Sequence, residues 1–283
     1  MALPRLGLKA LFARLHLNKD QLVTIVEGAV DKRCLLRLVH VPNAQFIEIR
    51  EIESSIADEF HGYGDNKARI LSLFSDPKMA DFADKNAIGI VDKDLDGVVR
   101  ENKNIVGVYY TPFSCLVSFV SDGASVNEML SSIFGIQVIP KFIAEIQKFS
   151  RNMYFLRGYV QLYEIGYALP DLDKCVRSIE DGGFNWDRYI NAIVQQTNLT
   201  RESISLNIAE QVQTFSARDE RDNNHFHSTS KYIALLLRKE RLTRSPISSD
   251  EIERHLVGLY LRKGPSCPIV GLVNNRAVAC LSA

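Results

Sequence analysis

The sequence predicts an α/β fold: a mainly parallel sheet flanked by helices, followed by a mostly helical second half. Three observations lead to it. Residues 23–26 and 87–91 are continuous apolar runs rich in β-branched residues, and each stops at carboxylates; such runs read as strands buried on both faces of a parallel sheet. Residues 22–110 follow the order strand, helix, strand, helix, strand, strand, which is the alternation of an α/β sheet. Beyond residue 122 the apolar period becomes helical and stays so.

The elements follow in order. Residues 1–21 hold a basic amphipathic helix, with Leu8, Leu11, Phe12 and Leu15 at helical spacing and Lys9, Arg14 and Lys19 between them. Its apolar stripe either docks on the protein's own core or offers a partner or dimer surface. Gly28 turns the chain out of the first strand into a helix over 29–40, where Val30, Cys34, Leu35, Leu38 and Val39 share a face. Residues 45–52 alternate Phe46, Ile47, Ile49 and Ile52 with polar positions, as a strand does. Gly62, Gly64, Asp65 and Asn66 make a loop into a helix that starts near Lys67 and carries Ile70, Leu71 and Phe74. Pro77 breaks that pattern before the third strand, and residues 104–110 form the fourth.

In the second half, segments 142–149, 152–168, 186–195, 204–215, 230–238 and 251–262 are amphipathic, and Ser125/Glu128 and Ser248/Glu251 have the spacing of helix-start capping pairs. The last apolar run, 268–281, is expected to be buried. Three regions result: an N-terminal helix (1–21), an α/β domain (22–122) and a helical domain (123–283).

Composition excludes several classes. Lys+Arg and Asp+Glu are both 34 in 283 residues, so no global basic field exists and a DNA-coating role is disfavoured. The five cysteines show no C-x-x-C spacing, the usage of reduced thiols in a cytosolic protein. The opening lacks the uninterrupted apolar core of a secretory signal. The longest uncharged run, 105–120, is too short to span a bilayer and contains Pro112. A soluble, cytoplasmic protein without membrane contact is expected. Neither a Walker-type motif nor a dinucleotide fingerprint occurs, so ATP hydrolysis by this chain alone is not supported.

The chemistry is expected at the strand ends. Glu27 follows the first apolar run, and Asp92 and Asp94, two residues apart, follow the third strand. In open α/β sheets, ligands lie off the carboxyl ends of the strands. Three carboxylates converging there call for a divalent cation, and an all-oxygen site suits Mg²⁺, Mn²⁺ or Ca²⁺ rather than zinc. Asp92-x-Asp94-x-Asp96-Gly97 also matches the opening of a calcium loop, but its twelfth position is Lys103 where Glu is required, and a strand rather than a helix precedes it. His225-x-His227 has no apparent third ligand nearby and reads as a polar loop before a helix. Lys231, Arg238, Lys239, Arg241 and Arg244, opposed locally only by Glu240, read first as a solvated face and second as a phosphate-holding one.

Glu27-Gly28 with Asp31, then Asp92-x-Asp94, resembles the signature of the Toprim fold, with spacing similar to Toprim nucleases of the overcoming-lysogenization-defect type. The resemblance covers roughly residues 20–122. Gly64-Asp65-Asn66-Lys67 before a helix and Tyr110-Thr111 after the fourth strand resemble the Toprim family of the effector nucleases of PARIS-type anti-phage systems, encoded beside an ATPase. That resemblance implies a toxic nuclease that uses Mg²⁺ (Mn²⁺ as substitute), cleaves RNA with transfer RNA favoured, is restrained by an ATPase sensor subunit, and acts as a homodimer. It implies metal ligation by Glu27, Asp92 and Asp94, with Glu27 alternatively orienting the attacking water; Asp96 is a further metal candidate, Asp31 and Asp96 are supporting candidates, and Lys67 is a candidate for neutralising phosphate charge. Where many relatives carry an acid past Thr111, this chain has Leu116-Val117-Ser118. The alternatives are an inactive Toprim interaction module or a DNA-directed nuclease.

Overall fold

In the computed structural model, β1 (Leu22–Val26) lies between β2 (Ala44–Glu48) and β3 (Ala87–Val91), and β4 (Val108–Tyr110) extends the sheet beyond β3. All three pairings are parallel. Every residue of β1 and β3 is buried, whereas the outer strands are partly open. This is why only the two central strands read as unbroken apolar runs. The structure describes residues 5–96, 102–164, 166–215, 219, 221–222, 224–243, 245–263 and 266–282. Gly97 of the acidic loop and Arg244 of the basic segment lie outside the described residues.

Two expected strands are shorter than their patterns. The alternation over 45–52 outlasts β2, which ends at Glu48; Ile49–Glu51 form a single 3₁₀ turn, yet Ile49 and Ile52 are both fully buried. The alternation there reports burial, and the tighter turn preserves it. The fourth strand pairs only over Val108–Tyr110 because Gly107, at φ +79°, turns the chain immediately before it. A side chain at Gly107 would also meet the Asp84 amide nitrogen at 2.9 Å.

Helices cover the sheet. In α1 (Leu8–Leu17), Leu11 and Leu15 are fully buried, Leu8 and Phe12 pack on the same core, and the Phe12 ring stacks with Phe82 at 6.2 Å. The stripe of the N-terminal helix therefore docks on the protein's own core, and the expectation of a free partner surface there is corrected. α2 (Ala29–Leu38) buries Cys34, Leu35 and Leu38, where burial pushes the Cys34 thiol up to about 12. α3 (Asp65–Ser75) lies so close to β3 that a side chain at Gly89 would meet Ile70 at 2.8 Å and Phe74 at 2.9 Å.

The chain divides into two compact units: residues 1–93, 102–116 and 261–283, and residues 94–101 with 117–260. The second unit holds α4 (Gly123–Phe134), α5 (Pro140–Tyr163), α6 (Trp186–Val194), α7 (Arg201–Thr214), α8 (Phe226–Lys239) and most of α9 (Ser249–Lys263). α10 (Pro268–Leu281) belongs to the sheet unit, not to the helical part in which the sequence pattern placed it. Asn43 Nδ2 donates to the Ala277 carbonyl at 2.7 Å, and Arg276 reaches both the Asp84 carboxylate at 2.7 Å and the Tyr109 hydroxyl at 2.8 Å. No local pattern reports such bonds between residues so far apart in the chain.

Segments 142–149 and 152–168, expected as two helices, are one 24-residue helix, α5. Ser150 interrupts the apolar pattern without breaking the backbone, because its hydroxyl donates to the Ile146 carbonyl and meets Thr229 Oγ1 at 2.9 Å. The second unit's core centres on Phe149, which stacks on Tyr232 at 3.9 Å with Phe184 edge-on at 4.9 Å. α4 is capped by Asp122, whose Oδ1 accepts from the Ser125 amide, rather than by Ser125 itself. Ser248 caps α9 as its spacing implied, accepting from the Glu251 amide. Among the described residues no helix is long and apolar enough to cross a membrane.

Candidate active site

The sheet register decides what can meet at its carboxyl edge. Val26 of β1 stands opposite Glu48 of β2 and Ile90 of β3, and Val91 of β3 stands opposite Tyr110 of β4. The residues that leave β1, β3 and β4 (Glu27, Asp92 and Thr111) therefore emerge side by side. Glu27 turns its side chain across the gap, and its Oε1 accepts a hydrogen bond from the Asp92 amide at 2.7 Å. Next to it, the Lys93 amide donates to Thr111 Oγ1 at 2.9 Å, and that hydroxyl donates to the Phe113 carbonyl at 2.7 Å. The Thr111 amide in turn donates to the Val91 carbonyl. Three strand ends are thus tied by side chains where the ladder itself has finished.

The turns behind this edge are also fixed. Gly28 is the N-cap of α2, and its amide donates to Asp31 Oδ2 at 3.1 Å. One role of Asp31 is thereby a helix cap, which also places a negative charge at the favourable end of the helix dipole. Asn66, in the first turn of α3, donates from Nδ2 to the Glu27 carbonyl at 2.9 Å. The Gly64-Asp65-Asn66-Lys67 stretch therefore anchors the Glu27 backbone.

Lys67, one residue on, is only 1 % exposed. Burying an ammonium is tolerated only with anionic or carbonyl oxygens around it. Lys67 lies in the first turn of α3 next to Asn66, which holds the Glu27 carbonyl.

Asp94 and Asp96 belong to the second unit. Asp94 is exposed and sits in the left-handed region, at φ +46°, a conformation Asp adopts more readily than most residues. Its carbonyl accepts a hydrogen bond from the Tyr154 hydroxyl of α5. Asp96 is fully buried. Asp92 thus goes with the sheet unit, and Asp94 and Asp96 go with the helical unit.

The donor chemistry at the edge suits a hard cation. Mg²⁺ is commonly held by one or two carboxylates together with water and substrate phosphate, and Glu27 and Asp92 supply carboxylates at neighbouring strand ends. Among the described residues, no group of three or more His, Cys, Asp or Glu side chains is gathered to hold a metal by protein ligands alone.

The histidines have other work. His225 is the N-cap of α8, its Nδ1 accepting from the Ser228 amide at 3.2 Å. His227 pairs through Nδ1 with Glu253 at 2.8 Å. The basic segment is dispersed: Lys231 binds Asp171 at 2.6 Å, while Arg238 and Lys239 lie in the last turn of α8, where cations complement the helix dipole.

Tyr154 and Arg157 were not singled out by sequence reasoning. No local signal marks them, because α5 carries other polar side chains such as Glu145, Gln147 and Arg151, and only the fold brings Tyr154 to Asp94. No protein-family model matches the chain, and no curated protein matches it significantly.

Proposed function

We propose that this chain is a Mg²⁺-dependent nuclease of Toprim type that cleaves RNA, with transfer RNA as the favoured substrate, and serves as a toxic effector of anti-phage defence. The observation that supports this reading best is the hydrogen bond from the Asp92 amide to the Glu27 carboxylate at the carboxyl edge of two adjacent, fully buried parallel strands. The bond brings the Glu27 carboxylate to the strand end from which Asp92 emerges, at the edge where open parallel sheets bind ligands.

In this reading Glu27 and Asp92 would hold the ion, Mg²⁺ or Mn²⁺, together with water and phosphate oxygens, and Asp94 and Asp96 are further candidate ligands. A bound divalent ion polarises the scissile phosphate and lowers the pKa of an attacking water. Glu27, fixed at both its carbonyl and its carboxylate, orients the water or completes the ligand set. Asp31 holds the turn that carries Glu27, and buried Lys67 balances the carboxylates in the resting protein. In this reading control comes from a partner, the chain having no Walker-type motif for ATP hydrolysis of its own. An ATPase partner would keep the nuclease silent, and release would allow a homodimer with twice the basic footprint for a folded RNA.

A second reading, an interaction module without nuclease activity, is favoured by one observation. At the place where relatives carry an acid, Leu116 and Val117 are buried core residues. One assay separates these readings: purified protein is incubated with transfer RNA, single-stranded DNA and duplex DNA, with Mg²⁺, with Mn²⁺ and with chelator. RNA cleavage that chelator abolishes and Glu27→Gln removes supports the proposal. Cutting of DNA alone supports a DNA-directed nuclease, and no cutting of any substrate leaves the interaction module. Expression with and without an ATPase encoded beside it, as the reading requires, tests control, and equal toxicity in both would exclude silencing by that partner.

A further inference from the structure

Within the helical unit a cleft of about 380 Å³ opens among α5, α6, α8 and the segment before α6. Its walls include Arg157, Asp171, Tyr189, His225, His227 and Lys231. Its volume falls in the range of small-molecule sites and exceeds what one inorganic ion needs.

Three features of the cleft favour an anion. Arg157 is half-buried and has no hydrogen bond or ion pair within bonding distance among the described residues. Burial pushes its pKa below the ordinary arginine value, and attraction from Tyr189 and Asp94 offsets this only in part. A guanidinium held partly out of water, with its fork of donors unused, is prepared for a bidentate oxyanion.

The second feature is α8, a 14-residue helix whose first turn lines the cleft through His225, His227 and Ser228. The positive end of a helix favours an anion there. The third is Lys231, one turn further along α8. Its ammonium lies 2.6 Å from Asp171 and 3.7 Å from Asp173. Both pairs are well exposed, so the lysine can exchange partners at small cost. Leu169 and the Tyr189 ring give the same cleft an apolar wall suited to a base or sugar.

We infer that this cleft binds the phosphate group of a nucleotide, with Arg157 forked onto the phosphate oxygens, the first turn of α8 facing them, and Lys231 leaving Asp171 for the ligand. The nucleotide is either free or one unit of a bound RNA strand. Neither Glu27 nor Asp92 lines the cleft; Asp94, which attracts Arg157, is the one residue shared with the nuclease reading, and measuring binding in chelator keeps the two readings apart.

The test uses the full chain in chelator, which removes any metal-dependent contribution, and measures binding of AMP, adenosine and a short single-stranded RNA by calorimetry or anisotropy. AMP or the RNA is expected to bind at least about ten-fold more tightly than adenosine, the least that a charge-assisted phosphate contact supplies. Binding of AMP identifies a free-nucleotide pocket, and binding of the RNA alone identifies a strand subsite. Arg157→Gln is expected to weaken the bound probe roughly ten- to a hundred-fold. Asp171→Asn, which releases Lys231, is expected to tighten it about three-fold, a gain that misfolding cannot produce. If adenosine binds as tightly as AMP and the RNA, if neither phosphate probe binds up to about 5 mM, or if Asp171→Asn and Arg157→Gln both leave affinity unchanged, the inference is overturned.

Discussion

Replacing Glu27 separates a structural role from a chemical one. Its carboxylate accepts the Asp92 amide at 2.7 Å, joining the ends of β1 and β3. Glu27→Ala removes that acceptor and leaves a part-buried N–H without it. A hydrogen bond to a charged group contributes about 1.5–3 kcal/mol, and because Glu27 is partly exposed the lower end applies. For a chain of this size that corresponds to a fall in melting temperature of roughly 3–6 °C. Glu27→Gln retains an oxygen at the same reach and is expected to melt within about 2 °C of the parent, consistent with a retained neutral hydrogen bond. It removes the negative charge, however, so under the nuclease reading RNA cleavage should fall at least about a hundred-fold in both variants, the scale for losing a catalytic acid or base. The assays are thermal unfolding in chelator and cleavage of transfer RNA in Mg²⁺. A Glu27→Gln protein that cuts as fast as the parent would refute the chemical role. A Glu27→Ala protein with an unchanged melting temperature would refute the structural one.

Three further outcomes are expected. Gly89→Val should destabilise the sheet unit by about 1–3 kcal/mol through overpacking against Ile70 and Phe74, and an unchanged urea midpoint would show that α3 yields freely. Arg276→Met removes the link from α10 to Asp84 and Tyr109; with both charged partners about one-third exposed, the cost should be roughly 1 kcal/mol, and earlier proteolysis of the C-terminal segment is its readout. Burial, reinforced by Arg157 and His227, holds the His225 imidazole down at about 3 in the folded protein, against an ordinary 6.5. Its contribution is present above pH 6.5 and is lost as pH falls towards 3, no more steeply than about 1.4 kcal/mol per pH unit. His227 is shifted upward, chiefly by its bond to Glu253, so its contribution is complete below pH 6.5 and is lost as pH rises through its folded value. Urea unfolding from pH 3 to 9 should show His225→Gln flattening the acid limb and His227→Gln flattening the neutral-to-alkaline limb.

Much of the fold was legible because burial leaves a local trace. β1 and β3 are covered on both faces, so residues 22–26 and 87–91 are apolar but for Thr24, and the intervening helical periods forced parallel crossovers. The same trace overstates strand length, as at Ile49 and Ile52, because a 3₁₀ turn can bury the residues that a strand would bury. It also splits α5 at Ser150, whose hydroxyl is satisfied by groups no local pattern reveals.

The candidate site divides in the same way. That acids follow two buried strands was a property of the sequence alone, since a strand's end and its next residue are neighbours in the chain. That Glu27 accepts the Asp92 amide, that Asn66 holds the Glu27 carbonyl, and that Lys67 is sealed inside were decided only by the tertiary structure. These relations join residues tens of positions apart, and such pairings depend on sheet register and helix placement rather than on any repeating period. The cleft around Arg157 shows this most plainly: α8 and its cap supply His225, His227, Ser228 and Lys231, but Arg157 of α5, Tyr189 of α6 and Asp171 join them only through the tertiary fold.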